Sequence, residues 1–186
     1  MSRSYCPRCR LPLATCLCPL VQPQPCPLPV MLIQHPKEAR HAKSTVPLLQ
    51  LALPEMELTV TETLPAPPPP PRGAWWLLYP APDAADIDTH PPGSLAPGGL
   101  VVLDGTWRKT RRLCHLNPWL QDLPALSFSR APASRYAIRK GPGGQALSTL
   151  ESLAHVLSRL DPDFDPAPLH RLLAHRVAQF SSRRPA

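Results

Sequence analysis

Proline most limits what this chain can fold into. It occupies 29 of 186 positions, about three times its usual share. Each proline fixes φ near −65° and withholds a backbone donor, so regular elements must fit between prolines. The excess is not uniform: with the eight glycines it concentrates in the N-terminal cysteine-rich segment, at 65–71, across 80–99 and around 141–144. Residues 100–116 contain no proline. The apolar fraction is still 43%, enough for a buried core, which excludes a collagen-like or wholly disordered chain and predicts one domain with many irregular connections. The 65–71 tract, six prolines in seven positions, reads as a stiff polyproline surface connection rather than a recognition motif. Residues 80–99, with Pro91-Pro92 and Gly98-Gly99, read as a long loop with one turn at 83–87.

Between these interruptions lie short apolar runs with strand character: 30–34, 58–61, 75–79, 100–103 and 126–128. Their near-continuous apolarity predicts a sheet buried on both faces. Helical patterns fall between and after them: 36–53, broken or restarted at Pro47, then Trp107 to Leu116, Thr149 to Leu160, and 168–180. Strands alternating with helices predict an α/β domain with a mainly parallel sheet and flanking helices over 30–186, preceded by a small module over 1–29. No run approaches the roughly 18 to 20 apolar residues of a membrane span, and the N-terminus has no hydrophobic signal core. No membrane contact, a cytoplasmic location and reduced cysteines are the expectation.

The cysteines of the N-terminal module form a C-x2-C-x6-C-x-C array, Cys6, Cys9, Cys16 and Cys18. Four thiolates within 13 residues suit the tetrahedral sulfur coordination of structural Zn²⁺. The second pair is tighter than the usual knuckle, so Cys26 stands as an alternative to Cys16 or Cys18. A catalytic dithiol is the rival reading, disfavoured because no acid or base lies near the pairs. A short segment with few apolar residues gains its order from the metal. Cys114 reads as a buried apolar residue.

The formal charge is +7, and it is focused. From Asp104 to Lys140 the sequence holds Arg108, Lys109, Arg111, Arg112, Arg130, Arg135, Arg139 and Lys140 against Asp104 and Asp122, while the remainder is nearly neutral. Such focusing suits phosphate contacts with a nucleic acid. At about 100° per residue, Arg108, Arg111, Arg112 and His115 share one helix face, and Trp107, Thr110, Leu113 and Cys114 share the other. That arrangement predicts core packing for Trp107, with a stacking surface for a base as the alternative. Asp104 ends the 100–103 strand, ahead of Gly105 and the helix, where open α/β sheets bind ligands. It reads equally as a helix cap.

Asp104-Gly105-Thr106-Trp107 resembles the D-x-T-W signature of the DTW-domain family, and four further blocks follow that family's order across roughly residues 6 to 157. The cysteine array resembles its zinc element. Gln34-His35-Pro36-Lys37-Glu38 followed by Ser44-Thr45 resembles its H-P-x-E block, with Ser44 where the family often has Asn, which puts any contact needing an amide there in question. Ser134 to Lys140 and Leu147 to Glu151 resemble its R-x-x and T-x-E segments. The resemblance implies a SPOUT-like fold, which in that superfamily carries a trefoil knot, though nothing in periodicity or spacing shows a knot. It also implies transfer of a 3-amino-3-carboxypropyl group from S-adenosylmethionine to N3 of a tRNA uridine, with RNA methyl transfer or non-enzymatic RNA binding as alternatives.

On that basis Asp104, Thr106, Trp107 and His35 are the expected catalytic positions. Leu103, Asp104, Gly105, Arg135, Arg139, Gly143, Thr149 and Glu151 are expected to bind the cofactor, and Arg108, Lys109, Arg111, Arg112, His115 and Lys140 the RNA. Cys6, Cys9, Cys16 and Cys18 are expected to hold zinc. The expected partner is tRNA, and the chain is expected to act as a monomer. An ordinary aspartate is a weak base for the uridine N3 proton, so a role for Asp104 in orienting the uracil or the donor's amino group stands beside that of general base. Ser148 and Glu151 also match a capping box, which leaves Thr149 unexplained by helix initiation.

Overall fold

The computed structural model of the protein describes residues 4–136 and 147–181. Six strands form one sheet: β1 (Val30–Gln34), β2 (Glu57–Val60), β3 (Trp75–Leu78), β4 (Ala85–Asp86), β5 (Gly99–Asp104) and β6 (Ala125–Ser127). Their order is β2-β1-β5-β3-β6-β4, and every pairing is parallel. Five helices accompany it: α1 (Pro36–Ala39), α2 (Val46–Ala52), α3 (Trp107–Leu116), α4 (Thr149–Leu160) and α5 (Ala167–Ser181). The expected mainly parallel α/β architecture is therefore present. No described helix is long and apolar enough to cross a membrane.

The apolar strands are explained by two cores. Successive side chains of a strand point to opposite faces. Val30, Leu32, Leu100 and Val102 pack with Leu48 and Leu49 of α2, Leu150, Leu153 and Leu157 of α4, and Leu169 and Leu172 of α5. Met31, Ile33, Val101 and Leu103 pack on the other face with Leu113 of α3 and Leu120 of the following turn. Truncating Leu153 to alanine in such a site costs about 2 to 5 kcal/mol. The cysteine segment joins the first core through Cys6, Cys9, Leu11 and Leu17, and Gln179 of α5 donates to the Thr15 carbonyl at 3.2 Å.

One feature differs from the sequence reading, and the expected break or restart at Pro47 is present. Residues 85–86 form an edge strand rather than a turn inside a loop, pairing Ala85 with Leu126 and Asp86 with Ser127. Two residues are too short to display a period, and only pairing with β6 defines them. The 36–53 pattern is two helices separated by residues 40–45, with Pro47 in the first turn of α2, where its missing N–H costs nothing. At Gly98 an added Cβ would lie 1.6 Å from the Arg72 carbonyl oxygen, so the chain crosses there only because the residue has no side chain.

Candidate active site

β1 and β5 are neighbours, and their chains leave in opposite directions across the sheet: β1 leads to β2 on one side, β5 to β6 on the other. A crevice opens at the carboxyl ends of strands related in this way. Here the last register pair is Gln34 with Asp104. A cleft of about 890 Å³ begins at this point, lined among others by Asp104, Thr106, Trp107, Tyr79, Ser44 and Thr149. Its volume lies within the range of small-molecule sites.

Asp104 is 8% exposed. Its Oδ2 accepts a hydrogen bond from Gln34 Nε2 at 2.8 Å, its Oδ1 accepts one from the Thr149 hydroxyl at 2.5 Å, and its carbonyl accepts from the His35 N–H at 3.0 Å. A carboxylate offers about four lone-pair positions, so capacity remains after these two side-chain bonds. The capping alternative for Asp104 does not hold: the N-cap of α3 is Thr106, without a side-chain cap bond. Thr149, the residue that the capping box left over, spends its hydroxyl on Asp104. Gly105 lets α3 start directly against β5, since a Cβ there would sit 3.0 Å from Lys109 Cβ.

Trp107 corrects the expectation of core packing. It is 50% exposed and meets Tyr79 edge to face, with centroids 6.1 Å apart. As the first residue of α3 it lies beyond the end of the sheet, whereas Thr110 and Leu113, further along the same face, are buried. Burial pushes the Tyr79 hydroxyl above its usual pKa, so this partner ring is neutral.

The basic residues of α3 divide. Arg108, Arg111 and His115 are exposed. Lys109 instead turns its ammonium to buried Glu38 at 2.6 Å, and Arg112 holds Glu62 through Nε at 3.3 Å and a terminal nitrogen at 3.0 Å. Arg112 keeps the Glu62 carboxyl below its usual value. The other Glu62 oxygen meets His35 Nε2 at 2.9 Å. Since His35 Nδ1 accepts the Lys37 N–H at 3.2 Å, Nε2 carries the proton. With both nitrogens engaged and 2% exposure, His35 is not among the residues lining the cleft.

The remaining wall of the cleft is residues 128–136, and buried carboxylates hold it. Glu151 completes the capping box of α4, and its oxygens also accept from the Ser134 hydroxyl at 3.0 Å and the Arg135 N–H at 2.7 Å. Asp88 accepts from the N–H groups of Ser129 at 3.0 Å and Arg130 at 2.6 Å, and from His155 at 2.9 Å. The Tyr136 hydroxyl donates to the Lys43 carbonyl. Arg135 is exposed and does not line the cleft. Arg139, Lys140 and Gly143 lie outside the described residues. Gln34, Tyr79, Asp88 and Tyr136 were not singled out from the sequence. Gln34 had a readable signal, an amide ending an otherwise apolar buried strand.

The sulfur atoms of Cys6, Cys9, Cys16 and Cys18 lie within 4.8 Å of one another, with Cys6 to Cys18 and Cys9 to Cys16 both at 3.7 Å. Four sulfurs at about 2.3 Å from one zinc ion would be separated by about 3.8 Å, so the group has the shape of a tetrahedral metal site. Cys26 is not part of it; its N–H donates to Glu55 at 3.2 Å. Backbone N–H groups of Cys9 and Arg8 pull the Cys6 thiol down to about 6, whereas burial pushes the Cys18 thiol up to about 12.

A family model described as DTW domain matches residues 3–181. Among curated proteins, the chain is 32% identical over 170 residues to the tRNA-uridine aminocarboxypropyltransferase 2 of Macaca fascicularis, covering 86% of this chain and 57% of that one. It is 28% identical over 191 residues to the protein of the same name from Drosophila melanogaster, covering 94% and 76%. It is 26% identical over 200 residues to tRNA-uridine aminocarboxypropyltransferase A of Arabidopsis thaliana, covering 87% and 74%. The chain thus spans little more than half the length of the mammalian relative. No solved structure matches it.

Proposed function

The chain belongs to the DTW-domain family, and on that premise we propose that it transfers a 3-amino-3-carboxypropyl group from S-adenosylmethionine to N3 of a uridine in tRNA, releasing 5′-methylthioadenosine. The names of its relatives support the reaction class. The observation that carries the proposal to particular residues is the buried Asp104 carboxylate, fixed by Gln34 and Thr149 at the carboxyl end of a parallel sheet and facing a cleft of ligand size.

The donor, when bound, supplies a sulfonium-activated carbon, and the cleft's anionic carboxylate beside an exposed indole fits a cationic, aromatic ligand of this kind. Asp104 then acts by position. With two of its acceptor sites held, it offers the remaining ones to the uracil N3–H, whose proton leaves as the N3–C bond forms and the donor's C–S bond breaks, or to the donor's ammonium. Holding the reacting groups at a fixed distance is the main catalytic device for such a transfer. Trp107 offers a stacking surface for a base drawn out of the RNA, its plane set by Tyr79. Arg108 and Arg111, the two exposed arginines of α3 without a carboxylate partner among the described residues, bind phosphates, Arg108 at the rim of the cleft that it helps to line. Thr106, Gly105 and Leu103 line the site, while His35, Glu38 and Glu151 brace it. A SPOUT-like fold, supported by the all-parallel sheet, and zinc as the metal of the cysteine site, supported by the four-sulfur cluster, belong to the same reading, as do RNA binding by α3, monomeric action and a cytoplasmic location.

Mass analysis of tRNA incubated with the protein and S-adenosylmethionine tests it. A uridine gaining an aminocarboxypropyl group, with methylthioadenosine released, is the expected result. S-adenosylhomocysteine as by-product would mean methyl transfer, and unmodified tRNA of every species tested would remove the transferase reading.

A further inference from the structure

Ser44 lines the same cleft as Asp104, and its hydroxyl has an unusual constraint. Its oxygen accepts from Gln34 Nε2 at 3.2 Å and from the Val46 N–H at 3.3 Å. A hydroxyl has two lone pairs and one hydrogen. With both lone pairs taken, the hydrogen must be donated away from these partners, and none of the described residues receives it. The direction of the Gln34 bonds is settled independently. Asp104 Oδ2, an acceptor with no proton to give when ionised, lies 2.8 Å from the Gln34 amide, so the amide nitrogen must face it, and its second N–H reaches Ser44. Gln34 is 3% exposed and bonded on both sides, which fixes this arrangement.

One amide nitrogen therefore holds an acceptor, Asp104, and a donor, the Ser44 hydroxyl, side by side on the cleft wall. We propose that this pair recognises a donor beside an sp2 oxygen, with Ser44 giving its proton to that oxygen. Two parts of the reacting pair have this pattern: the ammonium and carboxylate of the donor's amino-acid end, and the N3–H and adjacent carbonyl of uracil. The inference rests on the transferase reading for the identity of these ligands and assigns Ser44 as a binding residue in it.

Ser44→Ala separates the two sources. Calorimetric titration compares S-adenosylhomocysteine, which carries the amino-acid end, with methylthioadenosine, which lacks it. If Ser44 holds the donor carboxylate, affinity for the first falls about tenfold and affinity for the second is unchanged. If Ser44 holds the uracil, both affinities are unchanged and kcat/KM for tRNA falls about tenfold. Ser44→Thr, which retains the hydroxyl, restores the affected value. The proposal is overturned if no affinity and no kcat/KM moves, if methylthioadenosine weakens in step with S-adenosylhomocysteine, or if threonine restores nothing. Should the wild-type protein leave tRNA unmodified while the two nucleosides still respond differently to Ser44→Ala, the transferase reading fails and the role of Ser44 toward an amino-acid carboxylate stands.

Discussion

Glu151→Gln removes a charge without changing shape, and the structure sets the size of the effect. Oε1 accepts the Arg135 N–H at 2.7 Å, while Oε2 accepts the Ser148 N–H and hydroxyl, both at 2.8 Å. A glutamine has only one oxygen. Whichever way the amide turns, its NH2 group faces either the Arg135 N–H or the Ser148 N–H, and one backbone donor loses its acceptor in a site that is 5% exposed. An unsatisfied buried donor costs about 1 to 3 kcal/mol, and the surviving bonds lose the strengthening that a charged acceptor gave them. The total is about 2 to 4 kcal/mol. At about 2 to 4 °C per kcal/mol for a chain of this size, the melting temperature should drop by about 4 to 16 °C in differential scanning calorimetry. Because Glu151 holds the wall at 134–135, affinities for S-adenosylhomocysteine and methylthioadenosine should fall together. A melting temperature unchanged within about 1 °C, with ligand affinity lost, would refute this reasoning and put Glu151 on the ligand instead of on the wall.

Asp104→Asn must turn its NH2 group toward either Gln34 Nε2 or the Thr149 hydroxyl; kcat should fall at least about 100-fold, with the far-UV circular dichroism spectrum retained. The purified chain should carry one zinc ion by elemental analysis, Cys9→Ser should abolish it and cause unfolding at the N-terminal end, and Cys26→Ala should leave the stoichiometry unchanged. Replacing Arg108 and Arg111 together by alanine should lower the slope of log K for tRNA against log salt by about 2, whereas Arg112→Ala, whose guanidinium already serves Glu62, should lower it by less than 1. The lowered Glu62 carboxyl stabilises the fold above its ordinary value of 4.5, and this contribution disappears as pH falls through the lowered value. Arg112→Ala should therefore flatten the loss of melting temperature between about pH 5 and pH 3.

The fold was legible where one strand or one helix carries its own signal. β1 and β5 read directly because burial on both faces leaves almost no polar residue within them, β2, β3 and β6 read from short apolar runs although they are only partly buried, and α3 and α4 read from their spacing and, for α4, the capping box at Ser148 and Glu151. β4 could not be read, since two residues acquire strand character only by pairing with β6. Trp107 was misplaced for a related reason: helical periodicity assigns a residue to a face, but not to the part of that face that overhangs the sheet.

The sequence by itself determined the chemical inventory: four cysteines in a C-x2-C-x6-C-x-C array, a carboxylate at a strand end, and a helix with arginines on one side. Local spacing suffices for these because each is defined within one loop, one strand end or one helix. Only the tertiary structure decided which carboxylate is held by what. Gln34, Asp104 and Thr149 come from three elements up to 115 positions apart, and parallel strand order, not chain distance, brings them into contact. The same long-range contacts turned Lys109 to Glu38 and Arg112 to Glu62, and they left the Ser44 hydroxyl as a donor. Hydrogen-bond capacity is counted across everything that surrounds a group, and in a parallel sheet those surroundings come from distant parts of the chain.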